Sequence, residues 1–216
     1  MQLDAPLYCV LCKVILPVIH DAIALLVSQI NQYLNQKDGS PLGAADVVVI
    51  GNIGQLDVPE IAAELENHIV LSLINLEEEA TLKNGRTSSL QANGSVGYLN
   101  PPLHINLCVL WTANYRNYST ALKRLGQIMT FFQGKNKFTP SNSPGAGLTE
   151  LLDFSLTMEL LSLSLEEVNH LWGVLGGKQL PFAAYRGRLI TLEDQRLLDG
   201  GGLIREIDVM ERDITS

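Results

Sequence analysis

Cysteine is scarce in this chain: three in 216 residues, an odd number that cannot pair off within one molecule. With no secretory signal evident, free thiols and a reducing compartment are expected. Basic charge is also in deficit, with 15 lysines and arginines against 23 acids for a formal net charge of -8. A surface of that sign repels phosphate backbones and anionic lipid, so nucleic acid is not an expected partner. No uncharged apolar run approaches the roughly 20 residues of a spanning helix. In the apolar opening segment Lys13, Pro17, His20 and Asp21 interrupt the run, and Asp4 stands where a signal peptide is basic. Neither a membrane nor export is expected. Internal repeats and low-complexity tracts are missing too.

Signatures of chemistry are equally thin. His20, His68, His104 and His170 are scattered, and no two stand three or four apart, the spacing that puts two ligands on one helix face. Cys9-x-x-Cys12 has no second CxxC, and a structural zinc needs four ligands. Gly176-Gly177-Lys178 fails the phosphate-loop spacing twice, at Trp172 where glycine is required and at Gln179 where Ser or Thr is required. Gly51-x-x-Gly54 lacks the third glycine of a dinucleotide fingerprint and reads instead as a turn needing positive φ. No G-x-S-x-G elbow occurs. The run Glu77-Glu78-Glu79 suits acid–base work or, more commonly, a solvated strand end. No catalytic residue, metal or cofactor is assigned.

What the chain does have is a hydrophobic content of 46%, enough for the core of one large domain, and clear periodicity. Ile19, Ile23, Leu26, Val27, Ile30 and Leu34 form a helical stripe ending before the turn-rich stretch 37–43. Residues 47–50 and 69–76 read as strands, the second buried on both faces. In 101–138 a strand passes directly into a helix. Apolar residues alternate at Leu103, Ile105, Leu107, Val109 and Trp111, predicting one buried face. They then recur at Tyr118, Leu122, Leu125, Met129 and Phe132 with helical spacing. Between them, residues 81–102 lose periodicity and read as a long polar loop.

Leu152, Phe154, Leu156, Met158 and Leu160 predict a strand with one wet face. Ser164-x-x-Glu167 has the form of a capping box, and a short helix through Leu165, Val168, Leu171, Trp172 and Leu175 ends at Gly176-Gly177. A strand over 182–192 carries Arg186 and Arg188 on one face, and 203–210 reads as a final strand after the glycines 200–202. Strands and helices mix without strict alternation, which makes the class α+β.

Six phrases, in order, resemble the tail-terminator (cap) protein family of phage-tail-like contractile injection systems, formerly a domain of unknown function. They are IHDAIALLVSQINQYL, VVVIGNI, HIVLSLINLEEEATLKN, PPLHINLCVLWTANY, YSTALKRLGQIMTFFQ and LSLSLEEVNHLWGVLGGKQLPFAAYRGRLITLE, spanning about 18–193. LEEEATLKN and NHLWGVLGGKQLP are the most specific, because periodicity would not dictate them. The resemblance implies a mixed, largely antiparallel β-sheet of about five to six strands flanked by three helices. It implies a single cap domain over 18–193, with the long loop at 81–102 and a C-terminal arm at 194–216. Relatives start almost at the first helix, so residues 1–17 are expected to be an extension that is not native, with Val18 the initiation point. Larger relatives also carry more sequence after position 193.

The role implied is structural: a non-enzymatic ring, expected to be a homohexamer, at the baseplate-distal end of the particle. There it ends polymerisation of inner tube and sheath and anchors the sheath. The expected partners are further copies of the chain and the sheath and inner-tube proteins, in the cytoplasm and then within the assembled particle. Two other readings stand beside it: an adaptor or baseplate component of the same particle, and a small anion-binding enzyme using Arg186 and Arg188. Basic groups on an acidic chain are the ones that steer a complementary partner. Lys83, Asn84 and Arg86 on the long loop, with Arg186 and Arg188 on the late strand, are therefore the candidate interaction residues.

Overall fold

A computed structural model of the chain describes residues 18–39, 46–79, 88–90, 96–98, 100, 103–139, 141–143, 155–192 and 199–201. The first helix, α1 (Val18–Asp38), realises its stripe: Ala22, Ile23, Leu25, Leu26, Ile30 and Leu34 are buried. Strand β1 (Val48–Ile50) follows, then a 3₁₀ turn (Ile53–Gln55) and α2 (Pro59–Leu65). The helical crossover returns the chain parallel to β1 as β2 (His68–Glu78). Two short strands, β3 (Ser88–Leu90) and β4 (Val96–Tyr98), precede β5 (Leu103–Asn114) and α3 (Tyr118–Gly134). The remainder comprises β6 (Lys137–Phe138), β7 (Leu156–Leu161), α4 (Leu165–Val174), β8 (Phe182–Leu192) and β9 (Asp199–Gly201).

The main sheet has the order β1-β2-β5-β8-β7-β6, and every neighbouring pair is antiparallel except β1 with β2. This is the expected α+β class with a mixed, largely antiparallel sheet of six strands. Four α-helices, rather than three, flank it among the described residues. The extra one, α2, has seven residues, too few to show a helical period in sequence. The stretch 81–102, read as a loop, contains β3 and β4, and β9 joins them in a separate sheet of order β3-β4-β9. The extension 1–17 and the expected strand 203–210 lie outside the described residues, as do Leu152 and Phe154.

Helices cover both faces of the sheet, which reverses two burial expectations. On one face α1 and α3 pack on Ile69, Leu71, Leu107, Val109, Trp111 and Tyr185. On the other, Ile53, Leu65 of α2 and Trp172 of α4 pack on Val70, Leu110 and Ala184. Strand β5 lies inside the sheet, so it is buried on both faces from Ile105 to Ala113 and not on one. Strand β2, expected to be buried on both, is so only from Ile69 to Ser72. Its partner β1 ends after three residues, and beyond that point Leu73 and Leu76 are 39% and 45% exposed.

The stripe read along α3 is met in part, with its Phe132 buried and its Leu125 packed against the core. Ala121, Ile128, Phe131 and Phe132 are buried, whereas Tyr118, Leu122 and Met129 are exposed. The rings of Phe131 and Phe132 supply the area that holds this helix down, meeting Tyr33, Trp111, Phe138 and Tyr185. In α4 the capping box forms as its sequence requires: Ser164 N–H donates to Glu167 Oε2 at 2.7 Å and Glu167 N–H to Ser164 Oγ at 3.3 Å. Leu165, placed on the packed side in sequence, is 89% exposed. Gly176 and Gly177 take φ values of 101° and 77°, and Gly177 N–H returns to Trp172 O at 2.7 Å. That is the six-to-one bond of a left-handed helix stop.

Gly51 and Gly54 are not positive-φ residues, contrary to the sequence reading; among the described glycines only Gly39, Gly176 and Gly177 are. At Gly51 the requirement is space. A Cβ there would stand 2.6 Å from Leu65 Cδ2, so any side chain at this position would force Leu65 of α2 to shift.

Candidate interaction surface

Alternation along four adjacent strands places Glu77, Asn106, Arg186, Arg188 and Glu159 on one face of the sheet, beyond the apolar patch that α2 and α4 cover. Register sets Cys108 opposite Arg186 and Arg186 opposite Glu159. Arg186 Nη2 meets Glu77 Oε2 at 2.9 Å. Arg188 meets Glu79 at 3.4 Å and Glu159 at 3.8 Å, and Asn106 Nδ2 donates to Glu79 Oε2 at 3.1 Å. The acidic run is thus more than a solvated strand end. Glu77 and Glu79 are the partners of the two arginines singled out in sequence, brought to them by strand register.

The arrangement holds charge rather than activating a nucleophile. Cys108 lies beneath it, and burial followed by the nearby Glu77 carboxylate pushes its thiol pKa up, away from the reactive thiolate. Arg186 Nε and Asn106 Oδ1 are buried and find no hydrogen-bond partner among the described residues. No group of three or more His, Cys, Asp or Glu among the described residues is placed to hold a metal ion. None of the described helices is long and apolar enough to cross a membrane. Of the five candidate residues, Arg186 and Arg188 come together here, while Lys83, Asn84 and Arg86 lie outside the described residues.

The second feature is an edge that the sequence reading missed. Strand β1 covers β2 only opposite Ile69, Val70 and Leu71, so from Leu73 to Glu78 no described strand lies on the outer side of β2. A bulge interrupts the β2–β5 register between Leu73 and Asn75. Just past it the Leu76 N–H is met by the side chain of its own neighbour, Asn75 Oδ1, at 2.9 Å. Leu73, Leu76 and, at the end of β1, Ile50 present apolar side chains to solvent. The signal was in the sequence: a strand of three or four residues beside one of eight or more must leave an edge.

The Pvc16 N-terminal domain family matches residues 21–206. The solved sheath/tube terminator of PVC, an extracellular contractile injection system, in its extended state is similar at a TM-score of 0.56 and 13% identity. That likeness covers 92% of this chain and 64% of the other, so the chain spans less than two thirds of that terminator's length. The tube-terminating cap of the anti-feeding prophage aligns over 67% of this chain and 49% of its own, at 13% identity and a TM-score of 0.44. No curated protein sequence matches. At these identities the PVC terminator speaks for a shared fold, which is the one the resemblance led us to expect. With its match covering most of the sequence, the chain belongs to the Pvc16 N-terminal domain family.

Proposed function

We propose that this protein is a non-enzymatic cap of a contractile injection system, a terminator that joins the baseplate-distal end of sheath and inner tube and stops their growth. The observation that carries the reading is the family match over 21–206 combined with the fold shared with the PVC sheath/tube terminator. In this reading copies of the chain associate through a heterologous interface that closes, giving a ring of about six subunits, because a head-to-tail contact either closes or runs on as a filament. The cap binds the last sheath and tube subunits and is carried within the assembled particle. Nucleic acid and membrane stay outside the proposal, since a net charge of -8 opposes both.

The anion-binding enzyme reading loses its basis in Arg186 and Arg188, because each guanidinium already faces a carboxylate and an incoming anion would have to compete with it. The arginines, and Lys83, Asn84 and Arg86, remain proposed contact residues for sheath or tube. The test is the tail-length distribution, by electron microscopy, of particles from cells with and without this chain. Overlong tubes and detached sheath in its absence are expected. Normal lengths with intact sheath would overturn the terminator role and favour an adaptor placed elsewhere in the particle.

A further inference from the structure

Among the described residues, no strand lies on the outer side of β2 beyond Leu71. In the parallel pair with β1, Ile69 N–H reaches Val47 O and Gly51 N–H reaches Leu71 O, so these alternate residues of β2 aim their backbone away from β5. Leu73 continues that series, and past the bulge the N–H of Leu76 meets the local Asn75 side chain, with no described strand beyond it. Leu73 and Leu76 both lie on the α1/α3 face, opposite Val109 and Leu107. An edge carrying outward backbone groups and exposed apolar side chains pairs with an extended segment, the backbone giving affinity and alternate side chains giving specificity.

We infer that the occupant of this edge is the segment 203–210 of a second copy of the chain, added antiparallel to β2. The inference rests on the ring reading above and names the contact that would build the ring. Residues 202–216 follow β9 in the sequence, and the stretch from 202 to 210 would reach roughly 30 Å if extended. Its apolar residues fall in the matching pattern. In an extended segment Leu203, Arg205, Ile207 and Val209 share one side. The bulge places Leu73 and Leu76 three apart in β2 yet opposite residues two apart on β5, and a partner on the outer side meets the same spacing. Antiparallel pairing then sets Val209 against Leu73 and Ile207 against Leu76. On the reverse side Glu206 falls beside Glu77, whose charge Arg186 already balances at 2.9 Å. The Asn75 side chain gives way to a backbone carbonyl at Leu76 N–H, so the edge is capped in the free subunit and released on pairing.

The experiment mixes two full-length variants, Leu76→Cys and Ile207→Cys, under mild oxidation and maps disulfides by peptide mass. A bond joining positions 76 and 207 of different chains is expected. In parallel, Leu76→Asp and Ile207→Asp are compared with the unaltered chain by size-exclusion chromatography with light scattering. Each is expected to weaken self-association at least tenfold with an unchanged circular dichroism spectrum; Leu76 is 45% exposed. If the unaltered chain assembles but both Asp variants assemble as well, the edge pairing is wrong and the ring stands. A mixture that assembles but yields no 76–207 bond also overturns the second-copy pairing. An unaltered chain that stays monomeric at every concentration overturns the ring reading itself.

Discussion

Asn31, buried in the middle of α1, makes with Val48 the pair of hydrogen bonds that a neighbouring strand would otherwise make. Its Nδ2 donates to Val48 O at 2.9 Å and its Oδ1 accepts from Val48 N at 2.9 Å, with Val47 N at 3.0 Å as a third bond. One amide side chain therefore closes the outer edge of β1, while no described strand covers the edge of β2 just beyond it. A carboxamide suits the task because it offers donor and acceptor at the spacing of a peptide group.

Replacing Asn31 with leucine should be costly despite the similar size. The substitution strands backbone groups of Val47 and Val48 in the core, at roughly 1–3 kcal/mol for each buried polar group left unpaired. A loss of about 3 kcal/mol, read from the urea midpoint at unchanged slope, is expected. A loss below about 1 kcal/mol would mean that water enters and takes over the bonds.

Two glycines of the α4 region should respond in opposite directions. Gly177 has φ of 77°, so Gly177→Ala forces an L side chain into left-handed backbone and should lower stability by about 1 kcal/mol. Gly173 sits within the helix with nothing within 4 Å of an added Cβ, so Gly173→Ala should raise stability by about 0.5–1 kcal/mol. Thermal melts of the two variants, with the unaltered chain between them, would show the split.

Local signals in the sequence gave elements, and the tertiary arrangement decided what those elements bury. The α1 stripe, the Ser164–Glu167 box and the Gly176-Gly177 stop are each written within a few adjacent residues and were legible. The two-sided burial of β5 was not, because it depends on β2 and β8 pairing on either side and on helices from distant parts of the chain. The face of α3 is only partly legible for a related reason. Tyr118, Leu122 and Met129 keep helical spacing as well as the buried set does, and only the position of the sheet chooses between the two stripes. Of the site, Arg186 and Arg188 on one face were legible from alternation, while their pairing with Glu77 and Glu79 needed long-range register.

The ion pair between Arg124 on α3 and Asp38 at the end of α1 should give the fold a pH dependence at its acid limit. The hydrogen bond from Arg124, opposed by some burial and helped by the guanidinium charge, holds the Asp38 pKa below its ordinary 3.8. As pH falls, the unfolded chain takes up this proton first, so protonation favours unfolding. The contribution is present in full above the ordinary value and is lost as pH drops from there through the lowered folded-state pKa. Asp38→Asn should therefore flatten the stability profile below the ordinary carboxylate value of 3.8 while changing little in its slope near pH 7. A variant whose acid limb matches that of the unaltered chain would place the acid sensitivity at other carboxylates.

Arg186 and Glu77 allow the role of the polar ladder to be separated from simple stability. Their side chains are 36% and 38% exposed, so solvent screens the pair, and a double-mutant cycle with Arg186→Gln and Glu77→Gln should give a coupling below about 1 kcal/mol that shrinks with added salt. Removing Arg186 alone does more than break that pair. Glu77 then stands beside the buried Cys108 thiol without its countercharge, and the guanidinium that favours the thiolate is gone. Cys108 should accordingly react even more slowly with a thiol reagent in Arg186→Gln, and its reaction should recover in the double variant, where the carboxylate charge is removed too. If the proposed capping role holds and the ladder serves only to tie β2, β5 and β8 together, the double variant should leave tail length unchanged. Normal stability and thiol reactivity with overlong tails would instead assign the ladder to sheath or tube contact, because the fold would be intact and only the outward charge pattern changed.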